Sequence, residues 1–411
     1  MATTLIANAE IFDATGTMPF TGSVLIDGNR IASVIKGGDR PQADRVIEAG
    51  GKFLMPGMTE GHAHLSFGDA AGTDALISPS PEAHTLITAQ GAKTLLDAGF
   101  TSAYGASEAK LRLGVAVRDA VNAGQLPGPR IRAGSMEITV IGSIGDESKE
   151  YAHRDGISQI VSGLEEMRRA VRIACREGCD NIKIDISGDP FYPTAPAYTT
   201  PMSYEEVKMA VDTARGFGKK VNAHARSIES VKYCIRAGVN VIFHAEFSDE
   251  EMLDMLEEAK ERVFVAPSIG LFHTMIHEGE PWLPKGTAEF MGIPQLVEES
   301  VKTHSALRKR GIRHLIGGDY GLAWNRQGTN ARDVKHFIDY YGYSSADALI
   351  CATRHGGQAM RDEGDLGTIE AGKLADMILI DGDVLADVSI LTDTARIVLI
   401  MKDGALHKSP E

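Results

Sequence analysis

The first residues whose types and spacing suggest chemistry are His62 and His64, which closely follow Met55-Pro56-Gly57. In a β-strand, residues i and i+2 point to the same side, so the two imidazoles can share one metal ion. The chain has 13 histidines among 411 residues, and a single His-x-His pair is therefore weak evidence on its own. The interpretation depends on whether other metal-binding residue types occupy similar positions later in the chain.

Further residues that can bind a metal lie near the ends of four later segments with strand-like patterns. They are Lys183, His224, His244 and Asp319. In a barrel of parallel strands the chemistry gathers at the C-terminal strand ends, so these positions predict one shared site. Lys183 lies between two isoleucines, where a charged and unpaired ammonium is costly. A buried lysine of this kind can instead form an ion pair with Asp185 or another carboxylate.

The middle of the chain alternates strand-like segments with amphipathic helical segments, which is typical of a βα repeat with a parallel sheet. The predicted strands are residues 57–65, 101–107, 130–139, 181–187, 220–227, 241–246, 263–269 and 314–320. Eight such strands predict an α/β fold of the TIM-barrel type, (β/α)8. A doubly wound open sheet is the alternative, but it predicts a glycine-rich phosphate turn after the first strand, which this sequence lacks.

Both ends of the chain have short alternating strand patterns separated by Asp-Gly turns. Chain termini commonly lie close together, so the two ends can build one small β-domain. We therefore predict a β-sandwich domain from residues 1–55 plus 365–411 and a barrel domain from residues 56–364.

Composition limits the possible partners and the compartment. The formal net charge of −14 argues against nucleic acid or an anionic membrane surface as a partner. The four cysteines form no CxxC pair, which fits a reducing compartment. No basic segment followed by an apolar run opens the chain, and no stretch approaches the ~20 apolar residues of a membrane span. We expect a cytoplasmic protein with a small-molecule substrate and without nucleic-acid or membrane partners.

Three motifs resemble those of one known family. Residues 55–64 (MPGMTEGHAH) are similar to the strand-one signature of the amidohydrolase superfamily of metal-dependent hydrolases, residues 352–356 (ATRHG) to a later helix, and residues 367–376 (GTIEAGKLAD) to the segment that re-enters its β-sandwich. The Lys183 run and Arg130 resemble most the branch of carboxylated-lysine prolidases and aryl-amide hydrolases, with imidazolonepropionase-like sequences nearby. The resemblance runs nearly end to end.

This resemblance implies a binuclear metal centre. His62, His64, Lys183 and Asp319 would bind one divalent ion, and Lys183, His224 and His244 the other. Zn²⁺ is the expected ion, with Mn²⁺, Fe²⁺ and Co²⁺ as alternatives for a His/carboxylate site. A CO₂-derived carbamate on Lys183 would bridge the two ions.

The resemblance also implies a reaction. A metal-bridging hydroxide would attack the carbonyl of an amide, carbamate or urea, and Asp319 would act as general base and then as general acid. The family resemblance further suggests a homo-oligomer. Two alternatives remain open. One is a mononuclear deaminase or cyclic-amide hydrolase with an unmodified Lys183, and the other is a non-catalytic, metal-stabilised binding protein.

The candidate substrate-binding residues follow the predicted strands. They are Arg226, Tyr192, Phe272, Trp282 and Trp324. Arg226 could bind a carboxylate or carbonyl oxygen of the substrate, or form a structural ion pair. The long stretch 270–292 predicts a lid or pocket wall, with an interface hairpin as the alternative. The aromatic residues predict a partly aromatic substrate.

Three further expectations concern residues outside the ligand set. Residues 141–146 (IGSIGD) lack the histidine of the family's Gly-Gly-His-Gly-Asp segment, which argues against dipeptide specificity. Glu246 is expected near the rim of the barrel. Five other histidines are expected on solvated faces: His84, His153, His304, His336 and His407.

Overall fold

A computed structural model describes residues 3–410, so Met1, Ala2 and Glu411 of the predicted terminal domain lie outside the described residues. Strands β1–β17 are numbered along the chain: Thr3–Ile11, Phe20–Asp27, Arg30–Lys36, Arg45–Glu48, Phe53–Pro56, Met58–Ala63, Phe100–Gly105, Arg130–Arg132, Gly134–Val140, Ser158–Val161, Asn181–Asp185, Lys220–Ala225, Val241–His244, Phe264–Ala266, Met377–Ile380, Ile397–Lys402 and Ala405–Lys408.

Helices α1–α13 are likewise numbered along the chain: Thr73–Ile77, Pro81–Asp97, Leu113–Asn122, Leu164–Arg176, Tyr204–Gly216, Ile228–Ala237, Glu250–Ala259, Ile269–His277, Thr287–Phe290, Ile293–Lys309, Arg332–Tyr341, Ser345–Ile350 and Gly356–Met360. A π-helical turn, Cys351–His355, joins α12 to α13, and Val388–Thr392 forms a 3-10 helix. Among the helices of residues 3–410, none combines the length and the apolar character that a membrane span requires.

The central strands pair in parallel, in two sheets. The first has the order β6-β7-β8 and the second β10-β9-β11-β12-β13-β14. Only Ala133 separates β8 from β9. Beyond β14, His314 makes a parallel bridge to Val265, and the N–H of Gly61 in β6 donates to the carbonyl of Ile316 at 2.9 Å. The predicted α/β architecture with parallel strands is confirmed.

The helices pack an apolar face against these strands. In α4 the buried residues Met167, Ala170, Val171 and Ala174 recur every three or four positions, as an amphipathic helix requires. Fully burying one large apolar side chain contributes about 1.5–3 kcal/mol. A capping box starts α5: the Ser203 hydroxyl accepts from the N–H of Glu206, whose carboxylate accepts from the N–H of Ser203.

A mixed sheet combines the two ends of the chain. Its order is β17-β16-β15-β5-β1-β2-β3, and β4 also pairs with β1. Strand β15 lies antiparallel to β5, with Ile378 opposite Met55. Because β5 continues into β6, this sheet supports the strand that carries His62. The two terminal motifs meet here, since the N–H of Gly57 donates to the carbonyl of Asp376 at 3.1 Å.

The structure differs from the sequence prediction in two segments that contribute residues to the cavity described below. The stretch 270–292, predicted as a long loop, is about half helical because it contains most of α8 and all of α9. The predicted strand 314–320 makes only an isolated parallel bridge, from His314 to Val265. Its chain then turns, with a left-handed φ of 61° at Asp319, an angle that does not occur in a regular strand.

Gly61 is required for the close approach of β6 to the segment after β14. A Cβ at this position would lie 2.5 Å from the carbonyl oxygen of Ile316 and 2.7 Å from the Cβ of Leu315. We therefore expect Gly61→Ala to lower the free energy of unfolding by about 1–3 kcal/mol, as overpacking typically does. Urea unfolding of metal-free protein measures this. Gly216→Ala, at the end of α5 with no atom within 4 Å of the added Cβ, is the control. Equal stabilities of the two variants would refute the close-approach argument.

Candidate metal centre and active site

Six residues from distant parts of the chain line one cavity of about 420 Å³. They are His62, His64, Lys183, His224, His244 and Asp319. His62 lies in β6 and Lys183 in β11. His224 lies in β12, and His244 is the last residue of β13. The five basic side chains are buried, and Asp319 keeps 17% of its side chain exposed. The structure thus brings together the six residues that the sequence analysis proposed as metal ligands.

His62, His64 and Asp319 form the tightest group. The Oδ1 atom of Asp319 lies 3.1 Å from Nε2 of His64 and 3.9 Å from Nε2 of His62. One donor atom from each of the three residues lies within 4.8 Å of the others, a spacing that one metal ion can bridge. The ring centres of His224 and His244 lie 4.5 Å apart, and those of His62 and His244 5.4 Å apart.

Hydrogen bonds orient the ligand rings. Nδ1 of His62 lies 2.6 Å from the hydroxyl of Ser268, and Nδ1 of His64 lies 3.1 Å from the carbonyl of Ser107. An Nδ1–H donated to these oxygens leaves the Nε2 lone pair for a metal, as is usual for histidine ligands. The buried Nδ1 of His244 has no hydrogen-bond partner among the residues described. This donor set fits a metal ion.

Burial sets the charge of the histidines. Desolvation holds the pKa of His62, His224 and His244 well below the usual value for histidine. At neutral pH these imidazoles are therefore uncharged, which is the form that binds metals.

Lys183 lies between two carboxylates. Its Nζ is 3.4 Å from Oε1 of Glu137 and 3.4 Å from Oδ1 of Asp185. Burial lowers the pKa of Lys183, but the attraction of Asp185 and Glu137 outweighs it, so that the pKa is raised. The unmodified side chain is therefore an ammonium, in line with the ion pair considered from the sequence.

Two buried side chains hold the loop that carries Asp319. Asp333 accepts hydrogen bonds from the N–H of Gly317 at 3.0 Å and from the hydroxyl of Tyr320 at 2.9 Å. The amide of Asn325 donates to the carbonyls of Gly318 and Asp319 at 2.8 and 2.9 Å. A left-handed φ costs a non-glycine residue about 1–2 kcal/mol, so these contacts maintain a conformation that Asp319 would otherwise avoid.

The surroundings of Asp319 favour its ionised form. Burial alone would raise the pKa of this carboxyl group, but the basic groups around it, of which Lys183 keeps its charge, outweigh burial and hold the pKa below the ordinary value. Asp319 is therefore a carboxylate at neutral pH, available as a ligand and as a proton acceptor.

Arg226 forms the structural ion pair that was one of its two predicted roles. Its Nε donates to Oδ2 of Asp189 at 2.9 Å, and its Nη1 donates to Oε1 of Glu246. Glu246, expected near the rim of the barrel, follows the end of β13 by two residues and is fully buried against Arg226. Arg226 nevertheless lines the cavity.

The four predicted aromatic contacts divide into two groups. Tyr192 and Trp324 line the cavity. Phe272 and Trp282 do not. Phe272 faces the core, with its ring centre 5.0 Å from the guanidinium carbon of Arg226, because the segment is a helix with an inward face. Trp282 lies on the surface with 52% exposure.

Most of the apolar cavity wall was not foreseen from the sequence. It comprises Phe67, Leu76, Ile144, Ile157, Phe191, Leu271 and Leu322. These residues lie in loops and short helices whose path depends on tertiary packing. No helical or strand-like periodicity in the sequence identifies them as cavity residues. Glu137, also missed, lies in the strand predicted at 130–139.

Three histidines expected on solvated faces are buried instead, because each ring finds a polar partner in the interior. His84 bonds to the carbonyl of Ser66 at 2.7 Å, and His304 bonds to the carbonyl of His244 at 2.7 Å. Nδ1 of His336 lies 3.0 Å from Oδ1 of Asp333. His304 thereby supports the backbone of a ligand residue.

The comparison with protein families decides the assignment. A model of the Amidohydrolase family matches residues 53–406. The chain belongs to the amidohydrolase family. It is a hydrolase that acts on carbon–nitrogen bonds, as the sequence resemblance implied.

Several individual proteins are similar to this chain. The ochratoxinase of Aspergillus niger is 24% identical over 381 residues, which is 87% of this chain and 76% of that protein. A solved structure of a Xaa-Pro dipeptidase with bound methionine is 27% identical, with a TM-score of 0.86 and coverage of 99% of this chain and 100% of that one. A 5'-deoxyadenosine deaminase of Methanothermobacter thermautotrophicus is 48% identical, but over only 62 residues, 15% of this chain and 14% of that protein.

Asp333 is expected to position Asp319 through the loop backbone. Removing its carboxylate in Asp333→Ala should weaken metal binding by about 10–100-fold, as loss of a supporting hydrogen bond typically does. Titration of metal-free protein with Zn²⁺ measures the affinity. Asp333→Asn should have a smaller effect because it keeps an acceptor oxygen. Asp339→Ala, on the exposed side of the same helix, is the control. A folded Asp333→Ala variant with unchanged affinity would contradict the positioning role.

Proposed function

We propose that the protein is a binuclear metal-dependent hydrolase of a small, partly aromatic amide, carbamate or urea. The observation that carries this proposal is the cavity that is lined both by the six ligand candidates and by apolar side chains. An open cavity beside a metal site has little purpose in a non-catalytic, metal-stabilised scaffold, so the binding-protein alternative is disfavoured.

The proposed architecture is a (β/α)8 barrel over residues 56–364 and a β-sandwich from residues 1–55 plus 365–411. The parallel pairings from β6 to β14, the bridge at His314 and the bond from Gly61 to Ile316 support closure of the barrel. The mixed sheet of both chain ends supports the second domain. The cytoplasmic location and the homo-oligomeric state stay predictions.

His62, His64, Lys183 and Asp319 would hold one metal ion, and Lys183, His224 and His244 the other. When bound, such ions lower the pKa of water and polarise the substrate carbonyl. Zn²⁺ is proposed, and Mn²⁺, Fe²⁺ and Co²⁺ suit the same donors. A carbamate on Lys183 requires a neutral amine, so its formation would have to disrupt the contacts with Glu137 and Asp185.

The protein's own groups provide the proton transfer. Asp319 is ionised and lines the cavity beside His62 and His64. There it can accept a proton from the attacking water. It can then return that proton to the departing nitrogen, which leaves as an amine. The apolar wall binds the hydrophobic part of the substrate and excludes water from this exchange.

A mononuclear deaminase or cyclic-amide hydrolase is the second candidate. Two observations favour it: the compact group of His62, His64 and Asp319, and the ion-paired state of Lys183. The short segment similar to a 5'-deoxyadenosine deaminase points the same way.

The metal content separates these candidates. Metal-free protein reconstituted with Zn²⁺ in the presence of bicarbonate should retain two ions per chain by elemental mass spectrometry. Lys183→Ala should retain one, because the residue shared by both proposed ions is lost. Lys335→Ala, an exposed lysine, is the control. One tightly held ion in the wild type, independent of bicarbonate, would support the mononuclear candidate and reject the shared-ligand scheme.

Turnover tests the role of Asp319. The metal-reconstituted protein should hydrolyse at least one class in a panel of aryl amides, aryl carbamates, phenylureas and dipeptides. Asp319→Asn should lower kcat/KM by at least about 100-fold, the lower range for loss of a general acid–base group. Asp155→Asn, with its side chain 89% exposed, is the matched control. Retained activity in a folded Asp319→Asn variant would remove this residue from the mechanism.

A further inference from the structure

We infer that the cavity selects substrates that carry no carboxylate remote from the scissile bond, and that Asp189 and Glu246 impose this selection by neutralising Arg226. The inference rests on the proposed hydrolase function and names the charge class of its substrate. Neutral substrates, and substrates with a remote cationic group, would be accepted.

The charges that line the cavity are unequal. Four acidic residues face it: Glu137, Glu147, Asp189 and Asp319. Lys183 and Arg226 are the lysine and arginine that line it within residues 3–410. Lys183 is paired with two carboxylates, as described above. A remote substrate carboxylate would therefore find Arg226 as its remaining cationic partner.

Arg226 is not available to such a carboxylate. Its side chain is 1% exposed. Asp189 and Glu246 occupy Nε and Nη1, and the ring of Phe272 lies beside the guanidinium. One ionised carboxylate is enough to cancel the charge of the guanidinium, and both carboxyl groups occupy its donors, so the trio offers an anion no net positive charge.

Glu147, which also lines the cavity, has an arginine partner that a second carboxylate shares. Glu147 lies 3.1 Å from Nε of Arg154, and Arg154 also pairs with Asp74. The arginine is thus shared between two carboxylates. This arrangement repeats, at the surface, the pairing found around Arg226.

A second cavity of about 730 Å³ extends the same charge pattern. It shares Asp189 and Tyr192 with the first cavity and adds Glu298 and Glu299. The described residues that line it include no lysine or arginine. A substrate long enough to pass Tyr192 would meet aromatic side chains and further acidic groups.

The test uses three substrates that share one scissile bond, chosen from the class that reacts in the panel. Their aryl rings carry a para ethyl, aminomethyl or carboxymethyl group. In each case a methylene carbon separates the terminal group from the ring, which limits its electronic effect on the scissile bond. We expect kcat/KM for the carboxymethyl compound to be at least about 10-fold below that for the ethyl compound, because like charges in an enclosed site repel. The aminomethyl compound should be turned over at least as well as the ethyl compound.

Charge-neutralising variants test the assignment to named residues. Glu246→Gln and Asp189→Asn should each raise the ratio of carboxymethyl to ethyl turnover by about threefold or more, because each removes a carboxyl group that neutralises Arg226. Glu229→Gln, about half-exposed on α6, should leave the ratio unchanged. Ratios within one variant are compared, so a partial loss of folded enzyme does not affect the result.

The outcomes distinguish this inference from the proposed function. If the wild type cleaves no member of the panel, the hydrolase proposal fails. If it cleaves the carboxymethyl compound as well as the ethyl compound, the charge selection is refuted while the hydrolase proposal stands. If the wild type discriminates but neither variant changes the ratio, the assignment to Asp189 and Glu246 is wrong.

Discussion

The contact between β6 and the segment after β14 is the constraint on which the site depends. The N–H of Gly61 bonds to the carbonyl of Ile316, and the absence of a side chain at Gly61 allows the two backbones to approach. His62 follows Gly61 directly, and Asp319 follows Ile316 by three residues. One backbone contact therefore fixes the distance between the imidazoles of His62 and His64 and the carboxylate that faces them. A bulkier residue at position 61 would separate both sides of the ligand group.

Burial then determines the chemical state of the groups that this contact brings together. Histidine has a pKa near neutrality and loses its charge when it is desolvated, so the ring nitrogens become metal ligands. Aspartate needs a favourable partner to remain charged in the same environment, and Asp319 has the ammonium of Lys183 nearby. The side chain of Asn325 donates to the loop backbone and that of Asp333 accepts from it, and both hydrogen bonds hold the loop in place. The same low-polarity environment thus yields neutral bases and an ionised acid.

The ligand candidates could be predicted from the sequence because their positions depend on local rules. His62 and His64 follow the two-residue period of a strand, and His224, His244 and Lys183 lie near the ends of short apolar runs. Phe272 and Trp282 could not be placed by such rules. Their segment was expected to be a loop, and its sequence did not reveal that part of it forms a helix with a buried face. The partners of Lys183 and Arg226 were only partly foreseeable. Asp185 is two residues from Lys183, whereas Glu137, Asp189 and Glu246 come close only through tertiary packing.

The two buried cations of the site show the same arrangement with different chemical consequences. Lys183 lies between Glu137 and Asp185, and Arg226 lies between Asp189 and Glu246. A guanidinium keeps its proton at any accessible pH, so Arg226 stays locked to its carboxylates. An ammonium can release its proton when the local charge changes. Positive metal ions placed beside Lys183 would favour that release and would attract its two carboxylates. Of the two trios, only the one built on lysine can therefore be reorganised by metal binding.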